Sequence, residues 1–114
     1  MSEQTALAGR IRGYLDELEK VVNRTKLLTN KALKSGDDGY WDGVALNLHS
    51  FYSGAERIFE DIARTIDGNI PSGSDWHVGL LVQISEEAVD RRPPVISHKT
   101  RYALDEYRGF RHVV

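Results

Sequence analysis

The stretch Trp41-Asp42-Gly43-Val44-Ala45-Leu46-Asn47-Leu48-His49-Ser50-Phe51-Tyr52-Ser53-Gly54-Ala55-Glu56-Arg57-Ile58-Phe59-Glu60-Asp61-Ile62 decides the fold class. Trp41, Val44, Leu48, Phe51, Ala55, Ile58, Ile62 and then Ile66 recur at steps of three and four, and Tyr52 and Phe59 widen the stripe. That period is helical, and the breadth of the face predicts a helix packed against two neighbours. Asp37 or Asp38 stands where an N-cap belongs.

Three clusters of turn residues bound the other segments: Lys34 to Gly39, Asp67 to Ser74, and Arg92-Pro93-Pro94. Before the first cluster, Leu7, Ile11, Leu15, Leu18, Val22 and Leu28 form a second stripe, with Gly36 suited to its C-terminal cap. Gly9 and Gly13 weaken its first turns and offer close approach to another helix. A short third helix is expected over about 75–89, with Trp76, Leu80, Leu81, Ile84 and Ala88 inward. A fourth starts near Ser97 with Ile96, Thr100, Ala103, Tyr107, Phe110 and Val114 in register. No segment alternates with period two. The expectation is an all-α, antiparallel up-and-down four-helix bundle forming one domain over residues 1–114.

Composition narrows the chemistry. The chain of 114 residues has no cysteine, which excludes disulfides, thiolate metal sites and a cysteine nucleophile. Neither a membrane span nor a secretory signal is visible, so a cytoplasmic location is expected. No His, Asp or Glu spacing suits a metal, and no glycine-rich phosphate loop is present, so neither metal nor cofactor is expected. The net charge of −2 is unevenly spread: residues 91–114 carry +4 and residues 1–90 carry −6. A basic end on an acidic body fits a local anionic partner; cations complementing a helix dipole fit it equally.

The chemistry-bearing stretch is Leu104-Asp105-Glu106-Tyr107-Arg108-Gly109-Phe110-Arg111-His112. Arg108 and His112 are four apart and share a helical face, with Arg111 beside them. Gly109 clears room for a bulky ligand or a partner's backbone. Arginine recognises phosphate bidentately, and histidine moves protons near neutral pH. The alternative is an Asp105–Arg108 pair on a solvated helix. Elsewhere, His49 reads as a partly buried packing residue, His77 as a solvated or capping one, and Glu56 and Arg57 as members of cross-helix pairs.

Leu48 through Phe59, Asp75-Trp76-His77, Leu80-Leu81, Arg92 through Ser97 and Leu104 through His112 together resemble the HEPN superfamily, specifically the HepT-like toxin domain of prokaryotic toxin–antitoxin pairs. The resemblance spans nearly the whole chain in helix order. It implies a metal-independent endoribonuclease, in which a histidine shuttles the proton of a ribose 2′-hydroxyl and an arginine stabilises charge on the attacked phosphate. It also implies a homodimer whose two motifs line one cleft, a nucleotidyltransferase-type antitoxin as partner, and RNA as substrate. The alignment sets the motif arginine at Arg111, with Arg108 as a second phosphate contact and His112 as orienter or substrate contact. The motif histidine then falls past Val114, and a stripe without a stop signal predicts a reading frame that continues. The alternative from another class is a non-enzymatic helical module that uses the same bundle for dimerisation or binding. Tyr40, Trp41, Tyr52 and Tyr107 are expected to leave aromatic surface outside the core, a patch that predicts a homodimer interface.

Overall fold

The computed structural model describes the backbone of residues 2–113 and the side chains of residues 2–110. Among the described residues there are four α-helices and no strand: α1 (Glu3–Ser35), α2 (Gly39–Ile62), α3 (Trp76–Ser85) and α4 (His98–Val113). The chain is all-α, and it divides into two compact units, residues 1–58 and 59–114.

In the first unit, Ser2 caps α1 by accepting from the Thr5 amide at 3.1 Å. Gly36, at φ 69°, closes the other end, its amide returning to the Ala32 carbonyl. Asp37 Oδ1 then accepts from the Gly39 amide at 2.8 Å and starts α2. The two helices run antiparallel. Lys31 lies over the Tyr40 ring, Leu28 against Gly43, Leu18 against Gly54 and Arg57 over the Tyr14 ring, so one index falls as the other rises. The glycines that admit close packing are therefore Gly43 and Gly54 on α2. Gly9 and Gly13, expected to do so on α1, have nothing within 4 Å.

The second unit starts inside α2. After Ile62 the helix widens into a π-helical turn, Ala63–Asp67, ended by Gly68 at φ 79°. The core side chains Leu80, Leu81 and Ile84 come from α3, as the sequence predicts. α3 stops at Ser85, four residues earlier than expected, because its last carbonyls are taken by side chains and loop amides. Ser85 Oγ donates to the Val82 carbonyl, Arg92 Nη2 to that of Gln83, and the Val95 amide to that of Ile84. This meets three of the four orphan carbonyls of a helix end without continuing the helix. Ala88 and Arg92 pair across a tight loop whose tip, Asp90, sits at φ 63°. Ser97 Oγ then accepts from the Thr100 amide at 3.0 Å and starts α4.

Burial corrects two stripes. On α2, Tyr52 (3 % exposed) and Phe59 are buried, whereas Trp41 and Leu48 are exposed. On α4, the expected inward residues Thr100, Ala103 and Phe110 are exposed, and Arg101, Leu104, Asp105 and Arg108 are half-buried instead.

Ile84 is fully buried. Ile84→Ala should cost about 2–5 kcal/mol in urea unfolding. Leu33→Ala, at a site 70 % exposed, should stay within about 0.5 kcal/mol.

Candidate functional site

α4 carries the predicted site. Ser97 sets its start, and its backbone is helical through Arg108, Arg111 and His112. The helical spacing alone places these three on one side of α4. Arg108 is half-buried and donates from Nε to Asp105 Oδ1 at 3.0 Å, one turn back. The side chains of Arg111 and His112 lie outside the described residues. A Cβ built at Gly109 would meet nothing within 4 Å, so the backbone beside Arg108 is open. A partly exposed i,i+3 ion pair on a helix contributes only about 0.2–0.5 kcal/mol. A phosphate oxygen can therefore replace Asp105, or take the Nη edge that Asp105 leaves unused.

Arg91, Arg92 and Arg101 are engaged within the protein. Arg92 and Asp67 form a buried bidentate pair, Nε to Oδ1 at 2.8 Å and Nη2 to Oδ2 at 2.6 Å, with side chains only 6 % and 7 % exposed. The Gln83 amide donates to Asp67 Oδ2 at 2.8 Å and to Asn69 Oδ1 at 3.0 Å. Arg92 Nη1 reaches the Glu86 and Pro93 carbonyls. Arg91 donates to the carbonyls of Ile66 and Asp67. Arg101 donates to the buried Ser85 hydroxyl at 3.0 Å, lies over the Tyr102 ring and stands 3.6 Å from Glu86, which also meets His98 at 3.4 Å. Burial pushes the Asp67 carboxyl upward. The hydrogen bonds from Arg92 and Gln83, with the charges of Arg92 and Arg91, outweigh it and hold the group below the usual carboxylate range.

This cluster lines a cleft of about 490 Å³ with Asn69, Glu86 and Glu87. Its acid and base are satisfied by one another, so it acts as a clamp that fixes the path into α4. Sequence reasoning missed it. Asp67 and Arg92 each stood in a breaker cluster, 25 residues apart, and no local pattern joins them.

The remaining candidates are placed as follows. His49 is exposed rather than packed. His77 is half-buried, its ring 3.6 Å from that of Trp76. Arg57 crosses to α1, onto the Tyr14 ring. Among the described residues no group of three or more His, Asp or Glu could hold a metal ion, and no helix is long and apolar enough to cross a membrane.

A family model described as HepT-like protein matches residues 43–114, which is more than half of the chain and runs from α2 through the Arg108–His112 stretch. The chain belongs to the HepT-like family. No curated protein and no solved structure matches it. In this HepT-like chain the Asp67–Arg92 clamp lies within the matched residues.

Asp67→Asn should remove the charge that neutralises buried Arg92 and cost about 3–5 kcal/mol. Because the folded-state pKa of Asp67 is depressed, its contribution is complete above the unfolded carboxylate pKa near 4 and is lost as pH falls through the lower folded value. Urea midpoints measured from pH 7 to pH 2 should fall in the wild type and fall less steeply in Asp67→Asn; parallel curves would contradict the clamp.

Proposed function

We propose that this HepT-like protein is the toxin component of a cytoplasmic toxin–antitoxin pair and acts as a metal-independent RNA endonuclease. The observation that carries the reading is the family match over residues 43–114, which takes in Arg108, Arg111 and His112. The open backbone at Gly109 and the weakly held Arg108 support it.

In this reading Arg111 and Arg108 contact the scissile phosphate, and His112 stands at the same cleft as orienter or substrate contact. The motif histidine takes the proton of a ribose 2′-hydroxyl as its oxygen attacks phosphorus. The 5′-oxygen of the next nucleotide leaves and is protonated, giving a 2′,3′-cyclic phosphate and a free 5′-hydroxyl. Two copies pair about a two-fold axis and bring their α4 faces to one cleft. Tyr102 and Phe110 of α4, 61 % and 63 % exposed, offer aromatic area for such an interface. Of the four aromatic residues expected to leave such surface, Trp41 is exposed, Tyr40 and Tyr107 are half-buried and Tyr52 is buried. A nucleotidyltransferase-type protein is the antitoxin. The competing reading, a helical binding module without catalysis, predicts the same dimer and no cleavage.

Protein extended past Val114 so as to supply the motif histidine, incubated with RNA in EDTA, should yield cyclic-phosphate ends. Arg111→Ala should abolish this and relieve any growth arrest with helical circular dichroism intact, since losing a charged hydrogen bond to phosphate costs about 1.5–3 kcal/mol in binding alone. Lys31→Ala should change little. A folded Arg111→Ala protein that still cleaves would move the assignment to Arg108, and a wild type without cleavage would leave the binding module standing.

A further inference from the structure

We infer that the exposed face of α1 is a self-association surface, on which a second copy of this chain lays its own α1 antiparallel. The face lies within the first unit, is separate from α4 and does not depend on the ribonuclease reading.

One side of α1 is exposed along its length: Gly9, Gly13, Asp16 and Lys20 in the first half, Arg24, Leu27, Lys31 and Lys34 in the second. Steps of three and four residues keep them on one face, and half-buried Ala6 continues it toward the N-terminus. The face is divided by charge. Residues 20–36 hold five cations and no acid, and the acids Asp16, Glu17 and Glu19 come just before them. Among the described residues Asp16 and Arg24 have no ion pair. Size divides the face as well. A Cβ at Gly9 or Gly13 would meet nothing within 4 Å, whereas the Leu27 side chain stands 53 % exposed in the other half.

The spacing along the face is the same in both directions from Lys20. A second α1 laid antiparallel, with its Lys20 beside this one, therefore brings unlike residues together. Asp16 faces Arg24 of the second copy, Gly13 faces its Leu27, Gly9 its Lys31 and Ala6 its Lys34, and each pair repeats across the two-fold axis. Leu27 enters the space that Gly13 leaves open, as a knob in a hole. Lys31 and Lys34 cover Gly9 and Ala6 with their aliphatic stems, the Lys31 ammonium being held over Tyr40 of its own chain at 6.0 Å. Lys20 meets its copy on the axis, and Glu17, 3.3 Å from it in each chain, offsets that charge. A parallel pair would instead set Arg24, Lys31 and Lys34 against themselves and leave Gly13 opposite Gly13. Charge thus fixes the direction, and the complement of each half of the face is the other half of the same face.

Light scattering of the full chain tests the surface. The wild type should have twice the mass of Asp16→Arg and of Arg24→Asp at equal concentration, whether or not α4 forms a dimer of its own. Each single variant should weaken association at least tenfold. The double variant Asp16→Arg/Arg24→Asp should regain the wild-type mass, because the pair is restored with its signs exchanged. Both positions are exposed, so helical circular dichroism should not change. The chain contains no cysteine, which makes a second measurement clean and decisive should a charge variant misfold. Lys20→Cys, on the axis, should cross-link to its copy under mild oxidation. Lys34→Cys, about 42 Å from its copy in this register, should not. Equal masses for the wild type and the single variants, a double variant that stays small, or no cross-link at Lys20→Cys would overturn the proposal. So would unchanged masses together with sedimentation on phosphatidylglycerol vesicles that Arg24→Asp abolishes, which would give the basic half of the face to an anionic membrane.

Discussion

A carboxylate and a guanidinium withdrawn from water together must satisfy each other or destabilise whatever buries them. Asp67 and Arg92 do so with two hydrogen bonds, and Gln83 fills a further acceptor position on the carboxylate. The three residues belong to the π-helical turn after α2, to α3 and to the loop leading into α4. Arg92 also takes the Gln83 and Glu86 carbonyls, so the pair that joins the segments is the same one that terminates α3. With α3 ended there, the Val95 amide can reach the Ile84 carbonyl, and the Pro93-Pro94 run leads the chain to Ser97 and the first turn of α4. The π-helical turn has its place in this arrangement. The wider turn ends on Asp67, and Arg91 takes the Ile66 and Asp67 carbonyls that it leaves exposed.

The first unit is organised differently. Its hairpin is set by size rather than charge. Leu28 and Leu18 of α1 press on Gly43 and Gly54 of α2, eleven residues apart along that helix and ten along the other. A Cβ at Gly43 or Gly54 would come within 3.0 or 2.6 Å of a leucine methyl, so that side chain would have to shift. The same register brings Arg57 to Tyr14.

Much of the fold was legible because helices announce themselves by period and by their ends. Gly36 and Asp37 act as the caps their residue types suggest. The phase of a stripe is harder to read than its existence. On α4 the apolar series Thr100, Ala103 and Phe110 points outward, and the inward edge carries Arg101, Asp105 and Arg108. Long charged side chains can cover a core with their aliphatic stems, so apolarity alone does not say which face turns in. The site was legible only where it is local. The Arg108–Asp105 pair is one turn of helix and was a named alternative, whereas the clamp needs two breaker clusters to fold together before it exists.

That pairing changes the meaning of the charge asymmetry. The +4 carried by residues 91–114 suggests a broad field attractive to anions. Yet Asp67 neutralises Arg92, and Glu86 and Asp105 stand beside Arg101 and Arg108. Arg91 keeps its charge but spends donors on backbone carbonyls. Opposite charges within a few ångströms of each other cancel beyond a Debye length of about 8 Å. What remains is short-range and directional, and it selects an anion that can enter and displace a weak partner. The Arg92–Asp67 pair cannot serve that purpose, because both groups are buried and opening them would expose an uncompensated charge. The Arg108–Asp105 pair can, because one surface ion pair exchanges for another at little cost. The same basic composition is thus divided by burial into a part that holds the fold and a part left able to exchange partners.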